Sequence, residues 1–109
     1  MLTNDNFKKV FEEEEFTLAL ISGNGCANCS TMASVVHKMD TVFSNLTTHL
    51  IDVNEHNYLI NKYYEVEVVP TTLFLYHGRL VSKVQGYQPE EILEIYIECK
   101  MKEVLGEKD

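Results

Sequence analysis

The sequence predicts an α/β domain whose central sheet is mixed, mostly buried and flanked by helices. A stretch of apolar residues from Phe16 to Ser22 is typical of a central strand that is covered on both faces. Two cysteines, Cys26 and Cys29, lie between that strand and a helical pattern. Further along, the segment 72–85 has the pattern of two strands joined by a tight turn. We therefore expect one domain over residues 1–109, built on a four- to five-stranded sheet.

Helical periodicity predicts two helices in the first half of the chain. The first is short and contains Phe7, Val10 and Phe11, with Asn4 or Asp5 as its cap. The second follows the cysteines, where apolar residues recur every three or four positions as far as about position 44. These residues are Met32, Val35, Val36, Met39 and Phe43. Each helix can therefore turn one apolar face towards the sheet.

A second strand and a third helix are expected next. Thr48–Val53 has strand character, and Asn54 can cap a helix that carries Leu59, Ile60 and Tyr63. Because a helix connects the first two strands, these strands are expected to be parallel.

The last third of the chain predicts a hairpin followed by a helix. Thr72–Tyr76 and Leu80–Gln85 are the expected strands, and His77-Gly78 is the turn between them. Pro89 suits the first position of a helix, and the two glutamates after it favour the positive end of the helix dipole. We expect this helix to end near Leu105.

Composition and charge narrow the class of protein. The net charge of −8 argues against a nucleic-acid partner, because phosphate binding needs a basic surface. The amino terminus lacks the pattern of a signal peptide, and no apolar stretch approaches the roughly 18 residues of a membrane span. We therefore expect a cytoplasmic protein without a membrane or nucleic-acid partner. The acidic run Glu12–Glu15 is expected to be a solvated helix end.

Cys26 and Cys29 have the spacing of a redox-active pair. A free cysteine has a pKa of about 8.5, so only a small fraction is thiolate at neutral pH. At the amino end of a helix, backbone N–H groups and the helix dipole favour the thiolate of Cys26. Cys26 is therefore the candidate nucleophile, and Cys29, almost one turn later, is the candidate resolving cysteine.

Structural and metal-binding interpretations of the cysteines remain open alternatives. A zinc site needs about four ligands, and the other candidates show no paired spacing with the cysteine motif. These candidates are Cys99, His37, His49, His56 and His77. We expect no metal and no cofactor, and we expect Cys99 to be a small buried residue that packs with Ile92 and Ile95. The histidines show no partner for acid–base chemistry.

Together these features resemble the thioredoxin family, from about Phe7 to Leu105. The resemblance is carried by the apolar strand, the cysteine pair, Val69-Pro70-Thr71, the glycine of the hairpin and Gly86 after the last strand. A glutaredoxin assignment fits less well, because that group favours Cys-Pro-Tyr-Cys and paired glycines after the hairpin.

The resemblance implies a thioredoxin fold and a thiol–disulfide oxidoreductase. It also implies a cis peptide bond between Val69 and Pro70, packed against the cysteine pair. The free backbone of Val69 could then pair with an extended substrate, so Val69, Pro70 and Gly25 are the expected substrate-binding residues. Disulfide-containing proteins are the implied substrates, and a thioredoxin reductase is the implied electron donor.

Several positions depart from the family pattern of Trp-Cys-Gly-Pro-Cys. Gly25 stands where the tryptophan is usual, and Asn28 replaces the proline between the cysteines. Leu20 occupies the position of a buried aspartate that is thought to help deprotonate the resolving cysteine. Ser34 stands where a proline commonly kinks the helix, and the usual first edge strand is absent or reduced to Met1–Thr3.

Two functional hypotheses follow. The first is a disulfide reductase that cycles between dithiol and disulfide. The second is a redox-sensing or binding module on the same scaffold with little turnover, which the missing tryptophan and Leu20 favour.

Overall fold

The computed structural model describes residues 2–106, and its helices and strands follow the predicted order. The elements are α1 (Phe7–Glu13), β1 (Phe16–Ser22), α2 (Cys29–Val42), β2 (Leu46–Asp52), α3 (Tyr58–Tyr63), β3 (Thr71–Tyr76), β4 (Arg79–Gln85) and α4 (Glu90–Gly106). No helix among these residues is long and apolar enough to cross a membrane.

The four strands form one mixed sheet in the order β2-β1-β3-β4. β1 is parallel to β2 and antiparallel to β3, and β3 is antiparallel to β4. The predicted α/β class and mixed sheet are therefore confirmed. No strand precedes α1 within residues 2–106, where Leu2 and Thr3 are irregular; the part of the expected edge strand at Met1 lies outside the described residues. β2 is consequently an edge strand.

Side chains alternate along β1 between the two faces of the sheet. Leu18 and Leu20 face the layer that α2 and α4 cover, whereas Ala19 and Ile21 face the layer that α1 and α3 cover. All four are almost completely buried, which explains why this strand is apolar along its whole length.

The predicted cap of α1 is wrong. Asn6 precedes the helix, and its side chain accepts a hydrogen bond from the backbone N–H of Thr3 (2.7 Å). Asn4 instead accepts a hydrogen bond from the backbone N–H of Leu59 (2.9 Å), so it ties the amino-terminal segment to α3. Asp5 is exposed.

The predicted cap of α3 is also displaced. The residue before this helix is Asn57, and its side chain accepts a hydrogen bond from the backbone N–H of Asn54 (2.9 Å). The side chain of Asn54 accepts one from the backbone N–H of His56 (2.7 Å). Both amides therefore order the turn before the helix, as short polar side chains often do in turns.

The expected environment of Cys99 is wrong as well. Cys99 is exposed on α4, and its helical neighbours Ile92 and Ile95 are 53% and 58% exposed. The buried face of this helix carries Leu93, Ile97 and Met101 instead. Apolar residues occur on two sides of α4, so periodicity alone did not identify the buried one.

Several polar side chains make hydrogen bonds to one another where β1 begins. Glu14 is not a solvated helix end: its carboxylate accepts a hydrogen bond from Thr17 (2.5 Å) and contacts Nε2 of His49 (2.7 Å). Tyr64 donates to the backbone carbonyl of Gly78 (2.9 Å). We call this region the basal end of the sheet and define it by Glu14, Thr17, His49, Tyr64 and Gly78. His49 therefore has an acidic partner that the sequence did not reveal.

Burial raises the pKa of Tyr64 to about 12, and the nearby Tyr63 and Glu12 add to the effect. Removing water from around the phenol disfavours its charged form, and neighbouring negative charge acts in the same direction. Tyr64 is therefore a neutral hydrogen-bond donor at physiological pH.

Candidate active site

Cys26 and Cys29 form a disulfide, with 5.5 Å between their Cα atoms. That separation lies within the usual range for disulfides, so the turn before α2 holds the two sulfurs at bonding distance without rearrangement. The sequence prediction that this pair can form a disulfide is confirmed.

Helix α2 begins at Cys29, three residues later than Cys26. Its first hydrogen bond runs from the backbone N–H of Met32 to the carbonyl of Asn28 (3.0 Å), and the side chain of Asn28 makes no capping hydrogen bond. Cys26 therefore lies in the turn before the helix, and its sulfur is bonded to the first residue of the helix. The dipole of α2 acts most directly on the sulfur of Cys29, because the effect is confined to the first turn.

The two sulfurs differ in their access to solvent. Cys29 is 8% exposed, whereas Cys26 is partly exposed between the exposed residues Gly25 and Ala27. A protein substrate can therefore reach Cys26 more easily than Cys29.

Gly25 adopts a left-handed backbone conformation, with φ of 75°. A Cβ atom added there would meet no atom within 4 Å apart from its chain neighbours, so the constraint on a small side chain comes from the backbone and not from space. The large aromatic residue that is usual in the family would be conformationally disfavoured at this position.

Val69 and Pro70 lie beside the cysteine loop. Their peptide bond is cis, as the resemblance implied. A Cβ atom added to Gly23 would lie 3.5 Å from a methyl group of Val69, which places this side chain against the start of the loop. Val69 is 38% exposed, and its backbone makes no hydrogen bond within residues 2–106. Its N–H and C=O are therefore available to another chain.

The layer beneath the disulfide is almost entirely apolar. Leu20 is fully buried there, at the position where the family pattern has an acid. Its partner across the sheet is Thr72, which is 1% exposed. The Thr72 hydroxyl has no hydrogen-bond partner in the described part of the chain. Sequence reasoning missed this residue, although a threonine at an inward position of a buried strand was the available signal.

A shallow groove runs beside the disulfide between the start of α2 and the start of α4. Its volume is about 730 Å³. Polar and aromatic residues line it, among them Ser30, Thr31, Ser34 and Tyr87. The loop before α4 is held close by a contact between the backbone N–H of Gln88 and the sulfur of Met32 (3.5 Å).

Four of the other candidate side chains lie in other parts of the molecule. Cys99 lies on the outer face of α4, and His49 belongs to the basal end. His77 lies in the turn between β3 and β4, where its Nδ1 contacts the backbone carbonyl of Glu12 (3.1 Å). His56 pairs with Glu55 in the loop before α3. Across residues 2–106, no group of three or more histidine, cysteine or acidic side chains could hold a metal ion.

Comparison with known proteins places these features in one family. The thioredoxin family model matches residues 1–99. Thioredoxin H5 from Arabidopsis thaliana is 28% identical over 91 residues, which are 84% of this chain and 76% of that protein. Thioredoxin H-type 2 from Nicotiana tabacum is 25% identical over 89 residues, which are 82% and 75% of the two chains.

Solved structures agree with the family match. A mutant thioredoxin from Halobacterium salinarum has a TM-score of 0.77 at 26% identity, and the match covers 89% of this chain and 84% of that one. Thioredoxin f2 from Chlamydomonas reinhardtii has a TM-score of 0.75 at 14% identity, with coverage of 89% and 92%. The second likeness shows the fold alone. The resemblance and the fold expected from the sequence are both confirmed.

Proposed function

The chain belongs to the thioredoxin family, and we propose that it reduces protein disulfides by cycling Cys26 and Cys29 between dithiol and disulfide. Family membership and the disulfide itself support a thiol–disulfide oxidoreductase in general. The observation that carries the more specific proposal is the unequal exposure of the two bonded sulfurs next to the unpaired backbone of Val69.

Cys26 makes the first attack in this cycle. Its thiolate attacks one sulfur of the substrate disulfide, a bond forms between Cys26 and that sulfur, and the substrate S–S bond breaks. The other substrate sulfur leaves as a thiolate and takes up a proton. The partial exposure of Cys26 supports this assignment, because the substrate sulfur must approach along the line of the bond being broken.

Cys29 completes the reaction. Its thiolate attacks the sulfur of Cys26 in the mixed disulfide, forms the bond that the structure contains, and releases the second substrate thiolate. Two electrons have then passed from the cysteine pair to the substrate. The 8% exposure of Cys29 supports this intramolecular role, since an outside thiol or disulfide reaches it poorly.

The substrate segment is held by the backbone of Val69 in this proposal. An extended chain could form hydrogen bonds with the free N–H and C=O of Val69, which resembles the addition of a strand to a sheet. Gly25 leaves the approach to Cys26 open, since its side-chain position has nothing within 4 Å. Contacts through backbone atoms favour a broad range of unfolded or extended protein substrates.

A dithiol donor must restore the reduced pair after each turnover. A thioredoxin reductase is the proposed donor, and a reducing compartment such as the cytoplasm would favour the reductase direction. Steady consumption of NADPH through such a reductase would support this assignment.

Trapping the mixed disulfide tests the proposed function. The Cys29→Ser variant removes the resolving sulfur, so Cys26 should remain bonded to substrate proteins. Because Cys99 is exposed, it is replaced in every protein used, so that the reference is the Cys99→Ser protein and background thiol exchange is removed. Cys26→Ser in the same background is the matched control and should trap nothing. The proposal fails if Cys29→Ser traps no more than this control and the reduced Cys99→Ser protein cannot reduce a model protein disulfide.

A redox sensor is the second candidate function. The apolar surroundings of Leu20 and the open backbone at Gly25 favour it, because both differ from the family pattern around a rapidly turning-over pair. In that case the pair would change a binding surface without steady turnover. Continuous reduction of a protein disulfide with a reductase present would exclude this alternative.

A further inference from the structure

The Thr72 hydroxyl is a buried polar group for which the oxidised protein supplies no partner. The residue is 1% exposed, and its Oγ1 atom makes no hydrogen bond to any of residues 2–106. An unpaired buried hydroxyl is costly, and such groups are uncommon in native proteins unless another state or ligand uses them. Its neighbour Thr71 shows the ordinary situation, because that hydroxyl donates to the carbonyl of Val68 (2.6 Å).

Strand pairing places Thr72 on the face of the sheet that α2 covers. Thr72 lies opposite Leu20, and opposed residues of neighbouring strands point to the same face. Phe74, two residues further along β3, packs in the same layer as Leu20 and Met32. The hydroxyl therefore points into the layer between the sheet and α2.

Thr72 also lies at the end of the sheet where the disulfide is found. β3 is antiparallel to β1, so the first residues of β3 lie beside the last residues of β1. The cysteine loop leaves that same end, and Cys29 precedes the buried Met32 by one helical turn. Among the buried residues described, the ionisable side chains are Cys29 and Tyr64, and Tyr64 packs on the other face.

We infer that the Thr72 hydroxyl is the hydrogen-bond partner of the Cys29 sulfur in the reduced protein. This inference rests on the proposed dithiol–disulfide cycle. In the disulfide the sulfur of Cys29 carries no proton and no charge. On reduction it becomes a thiol or a thiolate, and a hydroxyl can accept from the first and donate to the second.

The hydroxyl would act by stabilising the Cys29 thiolate and not by removing its proton. Threonine does not ionise at neutral pH, so the proton of Cys29 passes to solvent and the leaving substrate thiolate takes up a proton from solvent. Leu20 cannot supply a polar contact, which leaves Thr72 as the fully buried polar side chain of this inner layer among residues 2–106. Reduction therefore provides the partner that the oxidised structure lacks.

Three variants in the Cys99→Ser background test the inference. Thr72→Val removes the hydroxyl and keeps the shape, whereas Thr72→Ser keeps the hydroxyl. Thr17→Val is the matched control, since Thr17 is a fully buried threonine on β1 whose hydroxyl already bonds to Glu14. For the thiol titration each variant also carries Cys26→Ser, which leaves Cys29 as the one thiol.

Thr72→Val should raise the pKa of Cys29 by about one unit, because hydrogen bonds to charged groups are among the stronger ones. The resolving step should slow about threefold, since the loss of thiolate is partly offset by a more nucleophilic sulfur. The equilibrium with glutathione should shift about threefold towards the disulfide, which corresponds to ~14 mV. Thr72→Ser should restore most of each effect.

Stability separates this role from a merely structural one. Oxidised Thr72→Val should be at least as stable as the parent protein, because the substitution removes an unpaired buried hydroxyl. Thr17→Val should be less stable and should leave the pKa of Cys29 unchanged. The inference is overturned if Thr72→Val leaves both the pKa of Cys29 and the glutathione equilibrium at the parent values while the pair still exchanges with glutathione. A parent protein that does not exchange at all would instead overturn the proposed function, and this inference with it.

Discussion

The two ends of the sheet differ in whether their polar groups have hydrogen-bond partners. At the basal end, the buried hydroxyl of Thr17 bonds to Glu14, which also contacts His49, and the Tyr64 hydroxyl bonds to the carbonyl of Gly78. The other end, which we call the disulfide end, carries Cys26, Cys29, Val69 and Thr72. Two polar groups there lack partners within residues 2–106, namely the Thr72 hydroxyl and the Val69 backbone.

This difference indicates how stability and reactivity are divided in the molecule. Hydrogen bonds between buried groups and aromatic packing around Tyr64 stabilise the basal end. Groups without partners at the disulfide end are available to a substrate chain or to a newly reduced sulfur. Substitutions at the basal end should therefore change stability and spare the chemistry.

Two glycines give the largest predicted contrast. Gly78 and Gly25 both have positive φ, of 82° and 75°. A Cβ on Gly78 would lie 2.9 Å from the Cγ of Glu12 and 3.3 Å from its backbone nitrogen, whereas Gly25 has open space. Gly78→Ala should therefore destabilise by about 2–4 kcal/mol, and Gly25→Ala by about 1 kcal/mol.

Denaturant unfolding of the oxidised protein measures both values. Equal losses for Gly78→Ala and Gly25→Ala would contradict the contrast between a closely packed basal end and an open disulfide end.

The acidic residues at the carboxyl end of α1 provide a second matched pair. Glu14→Ala should destabilise by about 1–3 kcal/mol, because it leaves the Thr17 hydroxyl buried without its partner. Glu13→Ala removes an exposed carboxylate of the same type and should change stability by less than about 0.5 kcal/mol. Disulfide reduction per folded molecule should be the same for both. A loss of activity in Glu14→Ala without a loss of stability would link the basal end to the chemistry.

Tyr64 makes the stability of the basal end dependent on alkaline pH. Its pKa is raised from 10.0 to about 12, first by burial and then by Tyr63 and Glu12. The unfolded chain therefore loses this proton at lower pH than the folded protein does. The contribution of Tyr64 to the free energy of unfolding is therefore intact below pH 10 and is lost as the pH rises towards 12. We expect a loss of about 1–2 kcal/mol, which is less than the full pKa shift would give, because solvent screens part of the effect.

Comparison with Tyr64→Phe isolates this effect. The variant should lose about 1 kcal/mol at neutral pH with the hydrogen bond to Gly78, and its stability should fall less steeply above pH 10. Tyr58→Phe, at an exposed tyrosine, should keep the parent slope. Identical slopes for the parent and Tyr64→Phe would show that the shifted ionisation does not contribute.

The sequence was sufficient for the order of elements and for the cysteine pair. β1 was predicted with its observed bounds because a central strand is apolar throughout, and the Cys-x-x-Cys spacing required no knowledge of tertiary contacts. The environment of Cys99 was not predictable, because α4 has apolar residues on two sides. The partners of Thr17, Glu14 and His49 depend on contacts between separate elements, which no local pattern encodes.

The candidate site was predictable to a similar degree. Cys26, Cys29 and the cis bond before Pro70 lie where the motif and the family resemblance placed them. Thr72 was missed because its significance comes from the register of β3 against β1 and from the lack of a partner. Such an observation needs the packed structure.

The reduction potential of the Cys26–Cys29 pair tests the central claim most directly. Equilibration of the Cys99→Ser protein with defined glutathione mixtures, followed by mass analysis of the alkylated thiols, gives its value. A reductase should have a potential between about −220 and −280 mV. A value near about −120 mV, or a pair that does not exchange with glutathione, would contradict the proposed reduction of protein disulfides.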